Sequence, residues 1–243
     1  MHLSLIIPAY NEAERLPKTL ETIQQWVEAQ DFPVQVLIVD DGSKDATSEV
    51  VKKYQEDMVF LELLSLNPNR GKGGAVAAGM LAASGTHRLM LDADGATPIT
   101  EAQKLLEQRD QADIVIGSRY LESGSIKVKQ PLGRRIVSRV GNTLIQLSVL
   151  PGLKDTQCGF KLFTKEAAEA VFSRTTVKGW LFDVEVLAIA QELGYSVLEV
   201  PVDWYDDEKS KLRAVRSSLK AMGELWDIRR KRARNHYTDE AKS

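Results

Sequence analysis

The sequence predicts a single α/β domain built on a mainly parallel sheet flanked by helices, and three observations predict it. Short β-branched apolar runs alternate with amphipathic stretches through the first half of the chain, the pattern of successive βα units. Polar residues suited to chemistry gather where those runs end, the edge at which open α/β sheets bind ligands. The length, 243 residues with 43% hydrophobic content, suits one well-buried domain, and no Pro/Gly/Ser linker or internal repeat divides it.

Strands are expected over residues 3–8, 34–39, 60–66, 87–91 and 113–117, each a short apolar run bounded by turn residues. Helices are expected over 12–29, 44–56, 73–83 and 100–109, with Ser43 and Thr100 as N-caps of two of them. The second half is less regular. A helix from about 132 to 148, a strand near 159–163, a helix at 181–193, a strand at 196–202 and a last helix from about 213 are expected there.

The formal net charge of −2 gives no whole-molecule attraction to nucleic acid or anionic lipid, so such binding requires local clusters of Lys and Arg. Cys158 is the single cysteine, which excludes an internal disulfide and a cysteine-built zinc site and fits the reducing cytosol. The chain opens directly on Leu3-Ser4-Leu5-Ile6-Ile7-Pro8, without the basic and longer apolar regions of a secretory signal. No run approaches the roughly 18 apolar residues of a spanning helix, so the expectation is contact with a membrane rather than passage through it.

Four strand ends carry the chemistry. Pro8-Ala9-Tyr10-Asn11-Glu12 leaves the first strand without the G-x-G-x-x-G turn of a dinucleotide-binding fold. Tyr10 can stack on a base and Glu12 can accept from ribose or base donors. Val39-Asp40-Asp41-Gly42-Ser43 sets two carboxylates side by side, costly unless donors or a cation offset them, and Asp41 is the candidate for gripping a nucleoside. Asn69-Arg70-Gly71-Lys72-Gly73-Gly74 interleaves glycines with two cations before a helix, which suits close approach to phosphates, yet it lacks P-loop spacing. Leu89-Met90-Leu91-Asp92-Ala93-Asp94-Gly95 is an apolar strand ending in Asp-x-Asp. Two such carboxylates, two phosphate oxygens and water complete an octahedron, so Asp92 and Asp94 are expected to hold Mg²⁺ or Mn²⁺.

Taken with Gly117-Ser118-Arg119-Tyr120, these segments resemble the family 2 inverting glycosyltransferases of GT-A, Rossmann-like fold, and among them the polyprenyl-phosphate sugar transferases. Asp92-Ala93-Asp94-Gly95-Ala96-Thr97, Asp155-Thr156-Gln157-Cys158-Gly159-Phe160-Lys161-Leu162-Phe163 and the stretch from Trp204 to Lys211 are most similar to the dolichyl-phosphate β-glucosyltransferase type, with the dolichyl-phosphate mannose synthase type next. The resemblance spans roughly residues 3 to 230. It implies that Pro8, Tyr10, Glu12 and Asp41 hold the nucleoside, that Asp92 and Asp94 form the metal and diphosphate centre, and that Arg119 and Lys211 contact phosphate; Lys72 and Ala93 are expected among the nucleotide-sugar-binding residues. It divides the domain into a nucleotide-sugar-binding half (1–120), an acceptor side (121–212) and a C-terminal basic amphipathic helix and tail (213–243).

Two departures stand out. The mannose-synthase type has a metal-binding Gln where this chain has Ala96, so water or another group must complete the coordination. Eukaryotic glucosyl enzymes begin with a spanning segment, whose lack here points to a peripheral, bacterial-type enzyme on the cytoplasmic face. The expected reaction is transfer of a hexose, with UDP-glucose favoured as donor, to a polyprenyl phosphate; GDP-mannose as donor, a soluble hydroxyl acceptor, and a silent nucleotide-sugar binder are the alternatives.

A phosphate acceptor is largely ionised at neutral pH and needs little proton removal, whereas a hydroxyl acceptor requires a base, for which Asp155 is the candidate. Asp155 can equally position the acceptor or the loop around Gly159. Cys158 beside it reads as a small packed side chain.

Membrane contact is expected through residues 131–150 and 219–234. Arg134, Arg135 and Arg139 accompany Ile136, Val140, Leu144 and Leu147 at helical spacing, and Leu219, Met222 and Trp226 precede Arg229-Arg230-Lys231-Arg232-Ala233-Arg234. Both stripes could instead pack on the core. No aromatic residues interleave with the basic run, which argues against nucleic acid as its partner.

Overall fold

The structure, a computed structural model, describes residues 2–122, 125–127, 141–179, 181–205, 214–234 and 236–239, and of residues 214–221 and 239 the backbone only. Seven strands form one sheet: β1 (Leu3–Ala9), β2 (Val34–Asp40), β3 (Leu61–Ser65), β4 (His87–Met90), β5 (Ile114–Ser118), β6 (Lys161–Thr164) and β7 (Val197–Pro201). Their order is β3-β2-β1-β4-β6-β5-β7. Only β6 runs antiparallel, to β4 on one side and β5 on the other, so the sheet is mixed and mainly parallel. The C-terminal ends of β2, β1, β4, β5 and β7 therefore open on a single edge, and β6 begins there.

Helices α1 (Leu16–Glu28), α2 (Thr47–Gln55), α3 (Gly71–Ala82), α4 (Ala102–Leu106), α5 (141–148), α6 (Lys165–Phe172), α7 (Phe182–Glu192), α8 (Ala214–Ala233) and α9 (His236–Asp239) pack around the sheet. In β1 alternate side chains enter opposite layers, as strand geometry requires. Leu3, Leu5 and Ile7 join Leu16, Leu20, Ile23, Val51 and Leu105 from α1, α2 and α4. Ile6 joins Val76 and Met80 of α3, Val171 of α6, Leu187 of α7 and Ile228 of α8 on the other face. Coverage of both faces explains why β1 reads as a nearly continuous apolar run, interrupted by Ser4, which is buried and donates to Gln35 Oε1 at 2.6 Å.

Each expected strand forms within two residues of its expected bounds. Helix α6 was not expected; Thr164 caps it, its hydroxyl accepting from Ala167 N at 3.2 Å. Neither expected cap serves as one. Ser43 Oγ accepts from Asn11 N at 2.9 Å, joining the ends of β1 and β2, and α2 begins later, after Ala46. Thr100 lies inside the 3-10 turn Ile99–Glu101 that leads into α4, where Pro98 holds the cap position. Of the helix expected from 132 to 148, residues 132–140 lie outside the described residues.

Helix α8 anchors its C-terminal half through Ile228, which is fully buried. The basic run is accordingly divided. Lys231 pairs with Asp227 at 2.9 Å and donates to Thr176 Oγ1 at 2.7 Å, while Arg232 donates to the Val149 carbonyl and to Gln191 Oε1, so these two cations serve the fold. Arg229, Arg230 and Arg234 are exposed. So are Met222 (66%) and Trp226 (65%), and on α5 Leu144 and Leu147 are exposed while Ile145 is buried.

Candidate active site

The turn after β4 presents its two carboxylates outward around a buried Ala93. Ala93 is held by its carbonyl, which accepts from Thr19 Oγ1 at 2.8 Å, and Gly95, at φ 65°, closes the turn. Asp94 Oδ1 accepts from Ala96 N at 3.0 Å. The Asp94 side chain reaches solvent, yet the surrounding protein desolvates it; that desolvation first, and the charge of Asp92 second, raise its carboxyl pKa. Asp92 Oδ1 meets Lys72 Nζ at 2.6 Å. Burial works to lower the Lys72 pKa, but Asp92, Asp183 and Asp94 outweigh it and the net direction is upward.

Lys72 lies in the first turn of α3, and close packing explains the glycines around it. Gly71 has φ 78°, and a Cβ there would come 2.5 Å from the Lys178 carbonyl oxygen. A Cβ on Gly73 would overlap the Val177 carbonyl and lie 2.6 Å from Phe182 Cβ. These two glycines let α3 abut the segment before α7 and bring Lys72 to Asp92, a packing role beside the phosphate role their spacing suggests. Gly159 has a comparable task, since a Cβ there would overlap the Asp92 carboxylate.

At the ends of β1 and β2, Ala9 and Asp40 are paired in register. Asp40 is committed to its own turn, accepting from Ser43 N at 2.9 Å and from Ser48 Oγ. Its neighbour Asp41 is buried and faces the third loop: Oδ1 accepts from Arg70 N at 2.6 Å and its carbonyl from Asn69 Nδ2 at 2.7 Å. The adjacent carboxylates are thus each offset by donors, as their proximity demands. Pro8 sits half-buried in β1 and Tyr10 is 43% exposed at its mouth. Glu12 is bound by Arg15, Nε to Oε2 at 2.7 Å and Nη2 to Oε1 at 2.5 Å.

Two strands further along the same edge, Arg119 follows β5 and Asp155 precedes β6. Arg119 donates from Nε to Oδ2 at 2.7 Å, from Nη2 to Oδ1 at 2.9 Å and from its backbone N to Oδ2 at 2.9 Å. Desolvation would raise the fully buried Asp155 carboxyl, but the Arg119 charge and hydrogen bonds outweigh it and hold its pKa below the ordinary carboxylate value. The guanidinium also lies against two rings, 5.5 Å from the Tyr120 centroid and 5.3 Å from that of Trp204. Glu199 of β7 fixes the loop by accepting from the backbone N of Lys154 and of Asp155.

Trp204 comes from the segment after β7, which Ala96 ties to the Asp-x-Asp turn by accepting from Tyr205 N at 2.8 Å. Lys211 lies outside the described residues. Cys158 is buried, and burial first, then Asp155, pushes its thiol up to about 12, so it is packed and inert.

A buried ion pair, outside the residues expected from the sequence, lies behind this edge. Lys161 Nζ meets Asp183 Oδ1 at 2.5 Å and also donates to the Cys158 carbonyl, with both side chains inaccessible or nearly so. Burial raises the Asp183 carboxyl pKa against the opposing pull of Lys161 and Lys72. The available signals were a lysine inside the apolar run Phe160–Phe163 and two acids, Asp183 and Glu185, in the otherwise apolar stretch Phe182–Ala190. Buried charges require partners, and these residue types announce one.

Residues 4–172 match the profile of glycosyl transferase family 2. Curated relatives include the dolichyl-phosphate beta-glucosyltransferase of Dictyostelium discoideum, 38% identical over 242 residues that cover 94% of this chain and 74% of the relative. The Homo sapiens enzyme of the same name is 39% identical over 244 residues, covering 93% and 74%. Among solved structures, mannosyl-3-phosphoglycerate synthase from Rubrobacter xylanophilus superposes with a TM-score of 0.72 at 17% identity, covering 97% of this chain and 75% of that one. Glucosyl-3-phosphoglycerate synthase from Mycobacterium tuberculosis, in complex with Mn²⁺, UDP-glucose and phosphoglyceric acid, gives 0.66 at 16% identity, covering 93% and 79%. At these identities the two structures share the fold.

Proposed function

Because the chain belongs to glycosyl transferase family 2, we propose that it transfers glucose from UDP-glucose to a dolichyl-type polyprenyl phosphate, with inversion at the anomeric carbon. The observation that carries the reading is the Asp92–Asp94 turn, flanked by Lys72 and, along the same sheet edge, by Arg119. The single α/β domain with its mixed, mainly parallel sheet is a GT-A, Rossmann-like fold. UDP-glucose carries its sugar in α linkage and the relatives are named for a β product, so the acceptor attacks the face opposite the departing diphosphate.

A divalent cation, Mg²⁺ or Mn²⁺, fits the carboxylates at the turn. Asp92 already has an ammonium against it, and desolvation first and the Asp92 charge second raise the Asp94 carboxyl pKa, so a cation shared by the two offsets both effects. Held by Asp92 and Asp94, such a cation would supply Lewis-acid stabilisation of the leaving diphosphate.

The chain's own groups do the rest. Tyr10, Pro8, Glu12 and Asp41 hold the nucleoside, with Glu12 leaving Arg15 to do so. Lys72, with Arg119 and Lys211, offsets phosphate charge. Asp155 acts as a positioning residue, since both of its oxygens are held by Arg119 and its lowered pKa makes it a poor proton acceptor. A phosphate acceptor, ionised at neutral pH, needs no such acceptor.

Among the described residues no helix is long and apolar enough to cross a membrane. The lipid is reached peripherally, from the cytoplasmic side, through Leu144 and Leu147 of α5 and Met222, Trp226, Arg229 and Arg230 of α8.

Purified protein incubated with UDP-glucose, Mn²⁺ and a polyprenyl phosphate in detergent should yield a β-linked glucosyl lipid, and chelation should abolish its formation. No lipid-linked sugar from any common nucleotide-sugar donor would overturn the assignment.

A further inference from the structure

Lys72 pairs with one acid, Asp92, and lies near enough to a second, Asp183, to be influenced by its charge. On one side it holds Asp92 at 2.6 Å. On the other is the first turn of α7, where the Phe182 ring centroid is 5.8 Å from Nζ and the next residue, Asp183, is buried against Lys161. Gly73 brings α3 and α7 close enough for this, and Gly159 brings the loop that leads into β6 and Lys161 against Asp92. Lys161 donates to both the Cys158 carbonyl and Asp183, so it fastens the floor beneath Asp92 to the same turn of α7.

An ammonium and a divalent cation compete for the same carboxylate oxygens, and two cations at one carboxylate repel each other. We propose that Lys72 is a resident counter-cation that yields Asp92 to the incoming divalent ion by turning toward Asp183, and that Asp183 is the positioning residue that receives it. The flexible four-carbon stem of lysine permits such a turn without movement of α3. Lys72 then remains in the site as a second positive charge for the diphosphate. This inference rests on the reading that Asp92 and Asp94 hold a divalent cation.

The test measures binding and needs no acceptor. Mn²⁺ affinity is read by calorimetry and by the paramagnetic resonance of unbound Mn²⁺, alone and with UDP, for wild type, K72M, D183N and the double variant. K72M should bind Mn²⁺ alone about tenfold tighter and bind UDP in saturating Mn²⁺ more weakly, by a comparable factor. D183N should weaken Mn²⁺ binding about tenfold while Lys72 is present and less than about twofold in the K72M background. Equal losses in both backgrounds would mean that Asp183 acts through packing or its charge alone, and would overturn the exchange. If D183N fails to fold, K72M decides by itself: unchanged or weaker Mn²⁺ binding overturns the proposal. A wild-type protein that binds no Mn²⁺ even with UDP would refute the metal reading beneath it, a result distinct from Mn²⁺ binding without coupling.

Discussion

Arg119 and Asp155 meet edge to edge, Nε to Oδ2 at 2.7 Å and Nη2 to Oδ1 at 2.9 Å, so a fully buried carboxylate aims a guanidinium along the ligand edge of the sheet. Asp155→Asn should lower turnover at least tenfold by releasing that aim, and should cost about 3 kcal/mol of stability because it leaves Arg119 poorly paired. The folded-state pKa of Asp155 lies below its unfolded value, so its contribution is fully present above the unfolded pKa and is lost as pH falls through the folded one. Denaturant melts should therefore show a constant gap between wild type and variant from neutrality down to about pH 4, closing below it. A gap that closes between pH 6 and 7 would contradict this pairing.

Gly159→Ala should be a site-directed lesion more than a folding one. The added methyl overlaps the Asp92 carboxylate, which must turn aside. UDP binding in the presence of Mn²⁺ should weaken by an order of magnitude or more, while the melting temperature moves little. Calorimetry on a folded variant checks both statements.

Cys158 should resist thiol reagents in the native protein at pH 8, since burial pushes its thiol up to about 12. Labelling by a maleimide should follow the rate of unfolding, rising steeply with added denaturant. Fast labelling without denaturant would show that the loop from Asp155 to Phe160 opens on its own.

The exposed face of α8 should govern lipid contact. Replacing Trp226 with Ala and both Arg229 and Arg230 with Glu should cut binding to anionic vesicles at least tenfold, on the scale of about 1 kcal/mol per cation near the surface. Lys231→Glu should instead destabilise the fold, because that cation pairs with Asp227 and reaches Thr176. Vesicle sedimentation and thermal melts separate the two outcomes.

Much of the candidate site could be read in the linear chain because β1, β2 and β4 are buried on both faces and end in sharp changes of polarity. Asp41, Lys72, Asp92 and Asp94 each follow such a change or open the next helix, so local pattern places them on one edge. The caps were misread for a related reason. Ser43 has the composition of a cap, but its hydroxyl meets Asn11 N, a partner 32 positions away. The helix after β6 was overlooked because its eight residues follow the strand with no intervening turn, leaving Thr164 as the boundary signal.

The amino-acid sequence alone determined the α/β class, the edge on which ligands gather and the Asp-x-Asp turn, because strand periodicity and residue chemistry are local. Only the tertiary structure decided what each charge is paired with. It gave Asp155 to Arg119, Lys72 to Asp92 and Lys161 to Asp183, and it divided a basic run into cations that brace the fold and cations that face solvent. Ion pairs join residues from separate elements, and which acid meets which base depends on how strands and helices are stacked.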